Sequence, residues 1–379
     1  MSTETGTKPP TLSDDPVLVT GGSGFIGSAL VAALLEQGHI VHTTVRSLAN
    51  EKKVAPLHAL SSKYPSRLNI FEADLLKPES FDAAMVGCVV VHHVASPFRM
   101  PEKIVDGEKE MVTPAIEGVK NVFGSVERTS SVKRVVLTST VGAIFGSYSD
   151  VLERMEGGRL SEKYWNESSS VKKNPYHYGK TVAEKEAWRF YEAQKEEGNE
   201  KKRWDLVVIN PGLVLGPSLA PESESGSLFL LDELMGGGLF FGVPDLSFAI
   251  VDVRDVVTAH CAAADRPDTH GRYVVVAEKE MVRFSTIAGI VRQQVKGLGR
   301  LFIPTWQIPN WVVRLVGPLF GLDKVFIREH VGVRFMVGND RSIEELGIEY
   351  RPLEETLRDH CACRLKQRQG GGEKETSTT

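Results

Sequence analysis

Short runs of apolar, mostly β-branched residues recur along the first two-thirds of the chain, and helix-length segments separate them. Val17–Thr20, Ile40–Val45, Leu68–Glu72, Val89–His93, Arg134–Thr138 and Asp205–Asn210 read as strands, and Phe25–Gln37 reads as the first helix. The strands are nearly continuous in apolar character rather than alternating, which is the pattern of strands buried on both faces. Joined by right-handed crossovers, they predict an α/β fold with a doubly wound parallel sheet over residues 16–215. After Gly216 glycine and proline become frequent, and helical patterns at Ser285–Val295 and Trp311–Phe320 predict a smaller, mostly helical substrate-binding region over 216–368. Arg272–Val276 has the pattern of a strand that returns to the main sheet. Residues 1–15 and 369–379 are polar and read as disordered tails.

Composition narrows the function classes. A net charge of -4 over 379 residues supplies no field for nucleic acid. Cys88, Cys261, Cys361 and Cys363 have neither the paired spacing of a metal site nor the number of a disulfide framework, so no metal is expected and a reduced, cytoplasmic setting fits. The first fifteen residues lack the apolar core of a secretory signal. The stretch Phe302–Leu322 is apolar, but Pro304, Pro309, Arg314 and Pro318 interrupt it, whereas a spanning helix needs about 20 apolar residues. Ile308, Trp311, Val312, Leu315, Val316 and Leu319 recur at helical spacing, so a packed helix is expected there, with peripheral membrane contact as the lesser reading.

Candidate chemistry begins where the first strand ends. Gly21-Gly22-Ser23-Gly24-Phe25-Ile26-Gly27 holds two overlapping glycine registers, 22/24/27 and 21/24/27. Between a strand and a helix, such glycines allow a tight turn, a close approach of backbone to a pyrophosphate, and close helix–strand packing, while the helix N-terminus attracts the phosphates. This is the Rossmann pattern. The next strand ends in Thr43-Thr44-Val45-Arg46, with no acid from 43 to 50 to hold a ribose 2′-hydroxyl. Arg46 there suits a 2′-phosphate by charge and fork geometry, and Lys52 and Lys53 follow, so NADP(H) is the expected cofactor. Asp74 and Leu75 are placed to hold the adenine, although Asp74 is equally suited to start a turn before Pro78. Val94, Ala95, Ser96 and Pro97 are expected along the ribose and nicotinamide.

Tyr176 and Lys180 lie four apart at the head of a helical run to Glu196, which puts them on one face. A phenol titrates near 10, and a neighbouring ammonium favours its phenolate and makes it a workable acid–base group. Tyr178 lacks a lysine four residues on. The fifth strand ends Thr138-Ser139-Thr140, where a hydroxyl can polarise a substrate carbonyl; Ser139 and Thr140 both qualify.

These stretches together resemble the extended short-chain dehydrogenase/reductases, in particular their dihydroflavonol reductase and cinnamoyl-CoA reductase branch. The matching text is VTGGSGFIGS (19–28), TTVRS (43–47), EADLLKPESFDAAMVGC (72–88), HHVASP (92–97), VVLTSTVGAI (135–144), YHYGKTVAEKEAW (176–188) and INPGLVLGPS (209–218). The resemblance implies Tyr176 as acid–base residue, Lys180 as its partner and ribose ligand, and Thr140 in the catalytic Ser/Thr place. It implies contacts to the cofactor from Arg46, Lys53 and Thr138 and from Pro211, Gly212, Leu213 and Val214. The branch more often has serine where Thr140 stands, and Phe98–Met100 and 147–173 depart from the flavonoid enzymes.

The expected activity is an NADPH-dependent carbonyl reductase acting on an apolar or aromatic small molecule, with Phe98, Met100, Leu228, Phe229, Phe240 and Phe241 as candidate substrate contacts, in a monomer or homodimer. A sugar-nucleotide epimerase or dehydratase with bound NAD is disfavoured by Arg46 and by Val141-Gly142, where acids usually follow the catalytic threonine. A 3β-hydroxysteroid dehydrogenase-like enzyme draws its support from the apolar 302–322 stretch. A non-catalytic dinucleotide sensor would tend to lose Tyr176 or Lys180, and both are present.

Overall fold

The computed structural model describes residues 15–97, 104–196, 203–220, 226–320 and 323–375. Seven strands form one sheet: β1 (Val17–Thr20), β2 (Val41–Val45), β3 (Leu68–Glu72), β4 (Val90–His93), β5 (Arg134–Thr138), β6 (Asp205–Pro211) and β7 (Gly271–Val275). All the pairings are parallel, in the spatial order β7-β6-β5-β4-β1-β2-β3. The fold is therefore Rossmann-like α/β. The strand order reverses between β1 and β4, the switch point at which such sheets open a ligand crevice beyond their carboxyl ends.

The apolar runs form central strands because both of their faces are covered. Along β1, Leu18 packs into one cluster with Val91, Val119, Val135 and Trp204, while Val17 and Val19 join Leu30, Val31, Leu34 and Val257 in another. That alternation follows the two-residue period of a strand. Helices α1 (Phe25–Glu36) and α6 (Val253–Asp265) cover one face; α3 (Thr113–Arg128) and α4 (Pro175–Glu196) cover the other. Helix α2 (Glu51–Lys63) follows β2.

The later chain holds α5 (Gly226–Met235), α7 (Phe284–Gln294), α8 (Asn310–Val316) and α9 (Leu353–Glu375). The strand expected at Arg272–Val276 does return, as edge strand β7 beside β6. The backbone of α9 is helical to Glu375. Helix α9 starts from a packed base, with Leu357 and Cys361 buried, and propagation adds one backbone bond per residue once such a nucleus exists. The helix expected over Trp311–Phe320 is α only to Val316 and tightens to a 3-10 turn over Gly317–Phe320, where Pro318 cannot donate an α-type bond. Cys88, Cys261, Cys361 and Cys363 are all unpaired thiols.

Candidate active site

At the end of β1 the chain turns through Gly21 with φ at 73°, a left-handed conformation that costs glycine nothing. A Cβ on Gly27 would sit 2.3 Å from the Gly21 carbonyl oxygen, and one on Gly22 would sit 2.1 Å from Thr43 Oγ1. The two glycine registers thus divide the work. Gly21, Gly24 and Gly27 border a cleft of about 720 Å³ together with Ser23, Phe25 and Ile26, while Gly22 lets the turn lie against β2. Helix α1 begins at Gly24 with no side-chain cap and no acid in its first turn. Its N-terminal N–H groups and positive dipole end are left for an anion.

Thr20, which the sequence did not single out, holds the facing wall. Its Oγ1 accepts from the amides of Val94 at 3.1 Å and Ala95 at 3.0 Å and lies 2.9 Å from His93 Nδ1. Val94, Ala95, Ser96 and Pro97 all border the cleft. At the opposite rim stand Arg46, Ser47, Asn50 and Lys53; Asn50 Oδ1 caps α2 by accepting from the Lys53 amide at 3.2 Å. Lys52 is not on the cleft. Among the described lining residues there is no carboxylate, and Arg46, Lys53 and Lys180 are cationic. Glycine cradle, open helix end and rim cations together fit a dinucleotide with an additional phosphate. Leu75 borders the cleft and Asp74 does not. Asp74 takes the turn role instead, its Oδ1 accepting from the Leu76 amide at 2.9 Å.

Tyr176 occupies the first turn of α4 and Lys180 the next, both on the cleft, whereas Tyr178 is not. Lys180 Nζ donates to the Thr138 carbonyl at 3.2 Å. Burial lowers the Lys180 ammonium to about 8 against the opposing pull of Glu184, and burial pushes the Tyr176 phenol up to about 12. Thr138 contributes that carbonyl; its hydroxyl lies 2.8 Å from His260 Nε2, behind the sheet end.

The two strand-end hydroxyls are separated by their partners. Ser139 is buried and its Oγ donates to Glu184 Oε2 at 2.5 Å. Glu184 also accepts from Asn210 Nδ2 at 3.0 Å and from Arg272 Nε at 2.6 Å. Thr140 borders the cleft with a single long donation, 3.4 Å, to the Pro211 carbonyl, and it accepts from the Gly142 amide at 3.2 Å. Thr140 is the hydroxyl better placed to meet a substrate.

Pro211, Gly212, Leu213 and Val214 line the floor. The apolar wall is built by Val141, Phe145, Tyr148, Phe248 and Met281. Candidates Leu228, Phe229, Phe240 and Phe241 are not among the lining residues: Leu228 is buried in the core, and the three phenylalanines are exposed. Phe98 and Met100 lie outside the described residues. Apolar character alone cannot say which way a loop residue points, and that is where the expectation failed. His177, beside Tyr176, also borders the cleft, and burial lowers its imidazole to about 4.

A fold with these motifs around one cleft is that of the extended short-chain dehydrogenase/reductases. The family description "NAD dependent epimerase/dehydratase family" matches residues 17–277, and the chain belongs to that family. Within it, the chain falls in the dihydroflavonol reductase and cinnamoyl-CoA reductase-like branch. It is 32% identical to a cinnamoyl-CoA reductase of Medicago truncatula over 345 residues, covering 90% of this chain and 93% of that one. It is 37% identical to an anthocyanidin reductase of Vitis vinifera over 281 residues, 70% of this chain and 77% of the relative. Among solved structures, yeast methylglyoxal/isovaleraldehyde reductase Gre2 complexed with NADPH superposes with a TM-score of 0.74 at 25% identity, covering 93% of this chain and 99% of the other.

Proposed function

We propose that this protein is an NADPH-dependent carbonyl reductase for an apolar or aromatic aldehyde or ketone. The observation that carries the reading is that Thr140, Tyr176 and Lys180 share one cleft with the glycine cradle, Arg46, Lys53 and the aromatic side chains of Phe145, Tyr148 and Phe248. The similarity to a cinnamoyl-CoA reductase, an anthocyanidin reductase and a methylglyoxal/isovaleraldehyde reductase supports it.

When bound, the reduced nicotinamide supplies a hydride. The residues of this chain do the rest. Arg46 and Lys53 pair with the 2′-phosphate, and Gly21 to Gly27 with the α1 N-terminus hold the pyrophosphate. Lys180, fixed by the Thr138 carbonyl, holds the ribose one helical turn from Tyr176. Thr140 donates a hydrogen bond to the substrate oxygen as negative charge grows there. Tyr176 gives its phenolic proton to that oxygen, with the Lys180 ammonium one helical turn away to favour the phenolate that remains. Phe145, Tyr148, Phe248 and Met281 exclude water and receive the apolar body of the substrate.

The test is a panel of aliphatic and aromatic aldehydes and ketones with NADPH, followed at the loss of nicotinamide absorbance. Turnover is expected on apolar members, and Tyr176→Phe should lower kcat by about 10²- to 10⁴-fold while NADPH still binds. No turnover anywhere on the panel, or a fully active Tyr176→Phe, overturns the assignment.

A further inference from the structure

Helix α8 carries the apolar stripe that the sequence pattern assigns to packing, but the helix is turned outward. Val313 is buried against Ile327 and Val331, whereas Trp311, Leu315 and Leu319 are 68%, 70% and 84% exposed. Trp311 and Leu315, four apart, share one face of the α-helix, and Leu319 follows them in the 3-10 turn. In the preceding segment Trp306, tied down through an Nε1 bond of 3.0 Å to the Phe241 carbonyl, is exposed, as are Leu298 and Leu301. A scattered exposed leucine is ordinary; a concentration of large apolar side chains in one stretch of surface marks an interaction site.

Charge identifies the partner. Between residues 292 and 329 stand six cations, Arg292, Lys296, Arg300, Arg314, Lys324 and Arg328, against two acids, Asp323 and Glu329, in a chain whose net charge is -4. Asp323 is occupied in capping the next helix, and Glu329 is paired with Lys173 and Arg328. Among the described residues, Lys296, Arg300, Arg314 and Lys324 have no acidic side chain within ion-pair distance. Exposed tryptophan and leucine in a segment that also carries unpaired lysine and arginine give the composition of a surface that lies in a bilayer interface and is drawn there by anionic headgroups. A two-fold pairing of this patch with a second copy would set the same cations against each other. No helix among the described residues is long and apolar enough to cross a membrane, so the contact would be peripheral.

We propose that the surface formed by residues 298–319 docks this protein on an anionic phospholipid bilayer, with Trp306, Trp311, Leu315 and Leu319 inserted at the headgroup boundary and Arg300, Arg314 and Lys324 on the lipid phosphates.

The experiment is co-sedimentation of the full chain with vesicles of phosphatidylcholine alone and of phosphatidylcholine with phosphatidylserine. Binding is expected to the anionic vesicles and to weaken as salt is raised. The triple variant Trp311→Ser, Leu315→Ser, Leu319→Ser should reduce vesicle affinity by about tenfold or more. The charge variant Arg300→Glu, Arg314→Glu, Lys324→Glu should lose the preference for phosphatidylserine. Both should retain wild-type affinity for NADPH and an unchanged melting temperature, which separates a lost surface from a lost fold. Failure of the wild type to sediment with anionic vesicles overturns the proposal, as does binding that neither variant weakens. So does a concentration-dependent self-association that the apolar variant abolishes, because the surface would then belong to a second copy.

Discussion

Strand β5 and helix α8 are both mostly apolar, and they meet opposite fates. Every residue of β5 is buried between helices, and its end presents Thr138, Ser139 and Thr140 to the cleft. In α8 a single residue, Val313, is buried, and the larger side chains face outward. The difference lies in what surrounds each. β5 has strands on both sides, helices on both faces and a buried polar network at its end, so each of its groups has an assigned partner. Among the described residues, Trp311 and Leu315 on the outer side of α8 are left exposed. Apolar residues specify one structure where partners converge on them; elsewhere they are available for something outside the chain.

The comparison breaks first at Glu184. Its carboxylate is buried and takes hydrogen bonds from Ser139, Asn210 and Arg272, joining α4 to β5, β6 and β7. Glu184→Ala would leave the Arg272 guanidinium buried without its partner, a change that costs about 3–5 kcal/mol. Denaturant melts should show that loss, with part of it restored by Glu184→Gln. A cost below about 1 kcal/mol would mean that the sheet end is not held together as argued.

Acid should act on the same half of the molecule. His93 and His260 are buried, and burial lowers both imidazoles to about 3, with Lys180 adding to the effect at His93. The sign follows from the folded value lying below the unfolded one, near 6.5. Both rings are neutral in the native state, so their contribution is intact above about pH 6.5 and is lost as pH falls from there toward 3. Each ring should cost about 2 kcal/mol by pH 5. A His260→Gln variant should show a shallower decline in melting temperature between pH 7 and 5. An unchanged slope would remove His260 from the account.

At the cleft rim the expected effect is smaller. Arg46→Asp removes the charge proposed to meet the 2′-phosphate and puts there the acid that suits a ribose hydroxyl. The ratio of kcat/KM for NADPH over NADH should fall by about 10- to 100-fold, the size of one charge-assisted contact of about 1.5–3 kcal/mol. Unchanged cofactor preference would leave Lys53 or the backbone as the discriminating group.

How much of this was legible in the sequence depended on how local each signal was. The strands could be placed to within a residue or so because a strand buried on both faces needs a continuous apolar run. Gly21 to Gly27, Arg46, Tyr176 and Lys180 could be singled out as candidates because each motif fits within one turn or one helix face. The Glu184 network could not, since it joins groups 45 and 88 positions apart in the chain. Nor could the aromatic wall, because Phe145, Tyr148, Phe248 and Met281 come together only after the later chain folds back over the sheet. The choice between Ser139 and Thr140 depended on the same long-range contact. For α8, spacing correctly gave a helix and an apolar stripe, but helical period says nothing about which side faces the core.

The smallest expected effect is on stability at Leu315, and it is the most direct probe of the comparison. Leu18 in β1 is completely buried, and Leu18→Ala should cost about 2–5 kcal/mol through lost burial and the cavity left behind. Leu315 is 70% exposed, so Leu315→Ala removes little surface that folding had taken from water and should change stability by less than about 0.5 kcal/mol. Parallel denaturant melts of the two variants would measure the contrast between sheet and outer helix in a single pair of curves. A loss above about 2 kcal/mol at Leu315 would show that this side chain is packed inside the protein in solution, and the helix would then be turned inward as its apolar stripe first predicted.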